Sequence, residues 1–337
     1  MKRIVFYIAC ISCTVSFAFS QSLLPNLGGQ RAGISSFQFL KIGIGGRGSG
    51  MQEAMVAAVN DVSALYWNPA GAVLDEHNSV MVVHTEWLVD LKHDFLGTMY
   101  HLSPADIVGL SCISLRTDDM PVTTETQPMG TGSYFQYSDL ALGVTYARRM
   151  TTQFSFGVTL RYVEERLDVV KIKSMLVDFG THYATGLGSL RIGVAVTNFG
   201  SDVTPKGDVT YLDGTVNSSF QAFSPPTVFK LGVAFEPYQT EEHRITTSIQ
   251  LDHPNDNAED LRFGFEYGWS DWLNLRAGLK RTIGENWFGV SQKSADDFSL
   301  GFGLMIPLPF TTASFEYSYT HFNELGAVHR ISCALTY

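Results

Sequence analysis

From residue 79 to the C-terminus, apolar and polar side chains alternate with a period of two. Between Phe154 and Tyr162 every even position is large and apolar, while every odd position is small or polar. The stretches Leu261 to Trp269, Phe298 to Leu304 and Ala313 to Tyr319 repeat the scheme. So do Leu140, Leu142, Val144 and Tyr146, which alternate with Ala141, Gly143, Thr145 and Ala147. Strict alternation is the signature of strands with two unlike faces. Fourteen such segments begin near residues 79, 93, 107, 136, 152, 174, 190, 227, 243, 260, 272, 297, 312 and 328. Most have the roughly 9–11 residues that a tilted strand needs to cross a bilayer. The connections alternate too. Those at 117–135, 200–227 and 282–296 are long, with 168–173 and 253–259 intermediate. Those at 103–106, 150–151, 186–189, 270–271 and 307–310 are short. Short turns on one side and long loops on the other describe an outer-membrane barrel, and an even strand count puts both ends on the short-turn, periplasmic side.

The chemistry of the two faces separates a barrel from a soluble sandwich, which would bury its apolar face and wet the other. Here one face is aromatic-rich. The other carries Gly, Ser and Thr together with Arg161, Arg191, Arg244, Arg262, Glu266, Arg276, Glu316 and Arg330. A polar lumen and a lipid-facing exterior account for that inversion. The expected fold is therefore all-β: a transmembrane antiparallel β-barrel of about fourteen strands over residues 79–337. Its last strand alternates Ile331, Cys333, Leu335 and Tyr337 with Arg330, Ser332, Ala334 and Thr336. An amphipathic final strand closing on an aromatic residue resembles the signal read by bacterial barrel-assembly machinery.

Residues before 79 do not alternate. Lys2 and Arg3, the apolar run from Ile4 to Phe17, and Ala18-Phe19-Ser20 have the layout of a secretory signal peptide, 1–20, with cleavage before Gln21. A membrane anchor is the alternative, but the run falls short of the roughly 20 residues a span needs. Lipid attachment at Cys10 or Cys13 would leave a very short leader. Residues 21–78 are expected to fold as a small helical or irregular plug, or hatch. Met51, Ala54, Met55, Ala58 and Val62 fall at helical spacing, and Asn68-Pro69 ends the pattern. Gly43, Gly45 and Gly48 satisfy a dinucleotide-binding spacing, but no βαβ unit surrounds them, so a tight bend against the wall is the better reading.

Composition adds limits. The 31 Gly, 23 Phe and 14 Tyr suit a barrel. The formal charge of −10 becomes −12 once Lys2 and Arg3 are removed. No basic stripe is visible along the chain, which argues against nucleic acid as a partner and against a general affinity for anionic surfaces. Cys112 and Cys333 remain after the leader, each inside an apparent strand, and read as small apolar residues. No catalytic, metal or cofactor motif stands out. Asp118-Asp119 and Asp296-Asp297 read as solvated loop charge, with ion or glycolipid contact as the alternative, and Glu241-Glu242-His243 as a solvated turn. His182, on the inward face beside Asp178, reads as a lumen filler rather than a proton relay. Trp269 and Trp272 flank a turn, where an interfacial girdle would place them. The 200–227 loop, with Tyr211, Phe220, Phe223 and Pro225-Pro226, is apolar enough to cap the barrel or receive a protein.

The N-terminal segment also carries a family resemblance. The residues are Phe37-Gln38-Phe39-Leu40-Lys41-Ile42-Gly43, then Gly45-Gly46-Arg47-Gly48-Ser49-Gly50-Met51, then Asn60-Asp61-Val62-Ser63-Ala64-Leu65-Tyr66-Trp67-Asn68-Pro69-Ala70-Gly71. They resemble the N-terminal signature of the PorV/PorQ family, within the FadL-type superfamily of long-chain fatty acid transporters. The resemblance implies a fourteen-stranded barrel with an N-terminal hatch, in the outer membrane of the Bacteroidetes and related bacteria, with Asn68, Pro69 and Ala70 as the hatch or gate motif. Gln52 and Glu53 depart from the small residues usual in relatives, and the chain is compact beside the secretion-system shuttle member. It further implies a non-enzymatic role in protein secretion of the type IX kind, or in surface anchoring. The alternatives are FadL-like passage of hydrophobic small molecules and a purely structural barrel. The partners to expect are outer-membrane lipid, the assembly machinery, secretion-system or surface proteins, or a hydrophobic ligand, with no cofactor.

Overall fold

The computed structural model describes residues 33–211, 214–270, 272–283 and 298–337. Residues 1–20, expected to be a leader, and Asp296-Asp297 lie outside them. Fourteen long strands follow one another: β1 Ser79–Glu86, β2 Lys92–Ser103, β3 Asp106–Arg116, β4 Tyr137–Arg149, β5 Phe154–Leu167, β6 Val170–Ala184 and β7 Arg191–Phe199. Then come β8 Val228–Gln239, β9 His243–Pro254, β10 Asp260–Trp269, β11 Leu273–Thr282, β12 Phe298–Leu308, β13 Thr311–His321 and β14 Ala327–Thr336. Each pairs antiparallel with its sequence neighbours, and β14 returns to β1 in register from Ser79↔Thr336 to Glu86↔His329, closing the barrel. Closure leaves no unpaired sheet edge, which is what a β structure in hydrocarbon requires.

The strand starts fall where the alternation places them, with one correction. Residues 168–173 are not a loop. β5 and β6 run on as a hairpin whose turn is only Asp168-Val169, with Asp168 in the left-handed region (φ 52°). The turns at 104–105, 150–153, 185–190, 240–242, 270–272 and 309–310 share one end of the barrel. The connections at 117–136 and 200–227, with the strand ends Thr282 and Phe298, share the other, which the turn-length rule makes the external end.

The faces sort as the pattern requires. Leu96, Leu110, Leu142, Val144, Leu160, Leu231, Phe265 and Ile331 point outward and are exposed, whereas Arg161, Glu266, Arg276 and Arg330 point inward and are buried. The lumen is not uniformly polar, however. Along β1–β4 its lining is largely apolar, with Met81, Val83, Phe95, Met99, Ile107 and Ile113 packed on the plug between the buried His93 and Asp139, while most of the ionic side chains gather on the opposite wall.

Within the plug the helix expected over 51–62 is absent. One helical turn, α1, spans Gly46–Gly50, and the chain leaves it through Gln52 and Glu53, both at positive φ, before a second turn, α2, at Ala64–Trp67. The wall takes over part of the hydrogen bonding that a continued helix would have made, and irregular turns within the plug supply the rest. Gln52 N donates to Ser299 Oγ (3.0 Å) and Val56 N to Gln250 Oε1 (2.8 Å). Lumen surrounds this segment, so its apolar residues are all buried whatever their spacing. The glycine cluster serves close approach. A Cβ on Gly46 would sit 2.8 Å from the Glu316 backbone, because α1 lies flat against β12 and β13.

Candidate functional site: a plugged lumen

The plug runs the length of the barrel from the external end to the periplasmic end. At its entry Ser36 N donates to Ser224 O (3.0 Å) and Phe37 N to Glu165 Oε2 (2.9 Å). Lys41 Nζ and Asp256 form an ion pair at 2.9 Å, with Gln38 Nε2 donating to the same carboxylate at 2.7 Å. Burial works against the charged Asp256, but Lys41 and Gln38 outweigh it and hold its carboxyl below the usual range. The 200–227 loop thus grips the start of the plug through Ser224. It is braced internally by a Val203–Phe223 bridge, and from the connection after β9 by Asn255 Nδ2 donating to Pro225 O (2.9 Å).

Midway down, the plug is fastened by charge. Arg47 reaches Asp61 (2.7 Å) within the plug and Glu266 (3.0 Å) on β10. Glu266 also takes Arg276 Nε (2.7 Å), and Arg276 pairs with Glu316 (3.0 Å), which in turn accepts Arg47 N (3.0 Å). A second cluster joins Glu53 to Arg262 at 2.6 Å, with Asp252 at 2.8 Å from the same guanidinium. Burial disfavours the Glu53 carboxylate. The positive Arg262 and Arg330 more than offset this and hold its pKa below the ordinary value. Buried charge is tolerated only when paired in this manner. Lys230 extends its ammonium over the Tyr66 and Trp67 rings, 5.7 and 5.4 Å from their centroids.

Asn68, Pro69 and Ala70 fasten the periplasmic end. Asn68 is fully buried; its Oδ1 accepts Ala70 N (3.1 Å), and its Nδ2 donates to Val56 O (2.7 Å) and to Thr181 O (3.1 Å) on β6. Pro69 opens a 3₁₀ turn, Pro69–Leu74, a position where its missing N–H removes no bond. Ser155 Oγ donates to Ala70 O (2.9 Å) and Arg149 Nη2 to Val73 O (2.8 Å).

Two cavities lie on opposite sides of the plug, with no lining residue in common. The external one, about 470 Å³, has Phe39, Leu40, Trp87, Leu91 and Phe322 on one side and Glu53, Lys230, Asp252 and Arg262 on the other. The periplasmic one, about 330 Å³, lies over Arg47, Asp61, Arg244, Glu266 and Arg276. Sequence reasoning did not anticipate this division. The positive φ at Gln52 and Glu53 that shapes the external cavity leaves no trace in the alternation.

The other singled-out residues find plain places. Asp178 is taken by Arg161 (2.6 Å) and by Asn198 N (2.6 Å), so among the described residues it forms no pair with His182. Trp269 and Trp272 lie outside at the periplasmic end, ring centroids 5.4 Å apart, where a girdle belongs. Trp87 instead packs on Phe322 (5.2 Å) beneath the external rim. Ile331, Leu335 and Tyr337 point outward and are exposed, as is Cys333. Cys333 and Cys112 share one outward row through Val82 and Leu96. With two strands between them they stand roughly 14 Å apart at the usual strand spacing, too far for a disulfide.

A closed fourteen-stranded barrel whose lumen holds an N-terminal plug defines the class: an outer-membrane β-barrel of the FadL-like architecture. The CymD monoaromatic hydrocarbon channel is similar, at TM-score 0.57 and 12% identity over 87% of this chain and 96% of its own. The toluene transporter TbuX of Ralstonia pickettii follows at 0.55 and 13% over 88% and 97%, and a Pseudomonas aeruginosa FadL homologue at 0.51 and 11% over 88% and 98%. At these identities the likeness is one of fold. No curated protein sequence matches the chain. The family model for the type IX secretion system protein PorV matches residues 28–254, and the chain belongs to that family.

Proposed function

We propose that the protein is a component of a type IX secretion system that works at the outer membrane as a sealed barrel, presenting its external loops to a protein partner. Family membership over residues 28–254 is the observation that carries the reading. The bonding of the plug supports the sealed form, because ion pairs and hydrogen bonds tie it to the wall at entry, middle and exit. In this reading residues 1–20 are the cleaved leader, with cleavage near Ser20/Gln21, and residues 21–78 are the hatch. Asn68, Pro69 and Ala70 are its anchoring turn, and Ile331, Cys333, Leu335 and Tyr337 are the stripe that the assembly machinery reads. The partner is a secretion-system or surface protein. Deleting the gene and comparing secreted proteins by mass spectrometry tests the reading: loss of a set of exported proteins supports it, and an unchanged set refutes it.

One observation favours a second reading, passage of a hydrophobic small molecule. The external cavity has an apolar side of suitable size, and solved neighbours with this fold carry hydrocarbons. Reproducible co-purification of one apolar compound with the protein would support it, and a lumen free of such compounds would count against it.

A further inference from the structure

At the external end of the lumen two carboxylates oppose each other across β4 and β5. Asp139 and Glu165 are register partners, and both point inward. Side chains so opposed have Cβ atoms about 4.5–5.5 Å apart. Asp139 is only 3% exposed; its Oδ2 accepts the Tyr137 hydroxyl (2.7 Å), and its Oδ1 has no hydrogen-bond partner among the described residues. Glu165 is half-buried, and its Oε2 accepts Phe37 N (2.9 Å), the bond that ties the entry of the plug to this wall. Neither carboxylate forms an ion pair among the described residues.

Their surroundings offer no compensating charge. At the same level β3 presents Leu115 and β6 presents Ile172, both buried, and the next inward row is Ala141 and Val163. Lys171 and Lys173, on either side of Ile172, are exposed and turn outward. On the plug Phe37 is fully buried, and Lys41 is engaged by Asp256 (2.9 Å). The 200–227 loop brings a further carboxylate, Asp202, which accepts Ser224 Oγ (2.8 Å), and the exposed Lys206, whose backbone bridges to that of Lys171. His93 stands two strands away along the row, on β2. Two carboxylates brought together in an apolar setting do not both ionise readily, and they hold one proton as a pair. The backbone they secure is under constraint. Phe37 has φ 56°, in the left-handed region that a bulky residue occupies only when its surroundings impose it. Were both carboxylates charged, Glu165, the less buried of the two, is the one that repulsion would turn towards water, and Phe37 N would lose its acceptor.

We propose that Asp139 and Glu165 form a one-proton latch on the plug, whose opening in alkaline solution frees the plug's entry from the wall. With one proton held between the pair, Glu165 stays on the Phe37 amide. When that proton passes to water, repulsion turns Glu165 away and residues 33–42 loosen. The stabilisation is therefore present at neutral pH and below, and is lost as pH rises. This is the opposite sense to the Lys41–Asp256 pair, which yields only to acid. The latch rests neither on the secretion role nor on passage of a ligand, so it can fail without either.

The test uses the full mature chain in detergent, checked as folded at each pH by its heat-dependent gel migration. Hydrogen–deuterium exchange of residues 33–42 is followed from about pH 7 to about pH 9, the range into which burial and a like charge move a carboxylic acid. Exchange is expressed relative to an unstructured peptide at the same pH, so that base catalysis of exchange itself cancels. Protection of residues 33–42 is expected to fall at least about tenfold over this range, as loss of one proton dictates, while residues 46–67 keep theirs. Asp139→Asn removes the like charge, and Glu165→Gln keeps an oxygen for Phe37 N without the charge. Each variant is expected to hold its protection constant across the range, and to lose the infrared carboxylic-acid band that the unaltered protein shows at about pH 7. Protection that does not change with pH in the unaltered protein overturns the proposal, and so does the same fall in both folded variants. Restoration of protection at about pH 9 by calcium would assign the pair to a metal ion and overturn it as well.

Discussion

Removing the Glu266 carboxylate should loosen the plug from the wall at the middle of the lumen. This side chain is buried, accepts Arg47 Nε at 3.0 Å and Arg276 Nε at 2.7 Å, and so joins plug to β10 and β11. Glu266→Ala leaves two buried guanidiniums short of a partner. Breaking a buried ion pair in this way costs about 3–5 kcal/mol. Arg47 keeps Asp61 (2.7 Å) and Arg276 keeps Glu316 (3.0 Å), so the loss belongs at the lower end, about 3 kcal/mol. That corresponds to a roughly hundredfold larger population of plug-open molecules. Hydrogen–deuterium exchange reads it directly. Amides of residues 46–67 should exchange roughly a hundredfold faster in the variant, while the β10–β13 amides keep their protection. Unchanged exchange in the plug would refute the assignment of its hold to this cluster. A joint rise in plug and wall would show instead that the two do not open separately.

Asn68→Ala removes the donor to Val56 O and Thr181 O and the acceptor for Ala70 N, and should loosen the plug's periplasmic end by about 1–3 kcal/mol. Protease cleavage within residues 64–75 is the readout, and cleavage no faster than in the unaltered chain would count against the role of this turn. The external latch is acid-labile. Because the Asp256 carboxyl lies below its ordinary range when paired with Lys41, the pair stabilises the plug above the unfolded value of about 3.9. That stability disappears as pH falls through the still lower folded value. Pepsin should therefore cut residues 33–42 only in strongly acidic solution, and loosening already near neutrality would contradict the sign. Cys112 and Cys333 should titrate as two free thiols after mild oxidation of the dispersed protein, and an intramolecular disulfide would place the two strands wrongly.

The barrel was legible in the sequence because its physics is local. A strand's two faces alternate at every residue, so Phe154 to Tyr162 declares an inside and an outside without reference to its neighbours. Turn lengths did the same for orientation. The plug was less legible for the opposite reason. Some of its backbone N–H groups go to Ser299, Gln250 and Ser332, residues about 200 or more positions away, and the rest close irregular turns, so helical spacing at Met51 to Val62 had no helix to report. The 168–173 hairpin was misplaced because Arg166, Asp168, Lys171 and Lys173 resemble loop chemistry, although their strands simply extend to the rim. Charge was the least visible property. Arg47, Glu266, Arg276 and Glu316 stand far apart along the chain, and only the barrel register and the seated plug bring them into one buried cluster.

Locking the plug in place tests most directly whether the protein serves secretion as a sealed barrel. A Cβ on Gly264 would lie 3.0 Å from that of Met51 and 2.9 Å from the Met51 carbonyl oxygen, so a small outward shift of the plug relieves the crowding and brings the pair to the roughly 3.5–4.5 Å of a disulfide. Met51→Cys/Gly264→Cys, in a chain with Cys112 and Cys333 replaced, should therefore close a bridge between plug and β10. Introduced into the deletion strain, the bridged protein should restore the exported proteins as fully as its reduced form. Restoration by the reduced form alone would show that the plug must leave the lumen, and would contradict the sealed-barrel account.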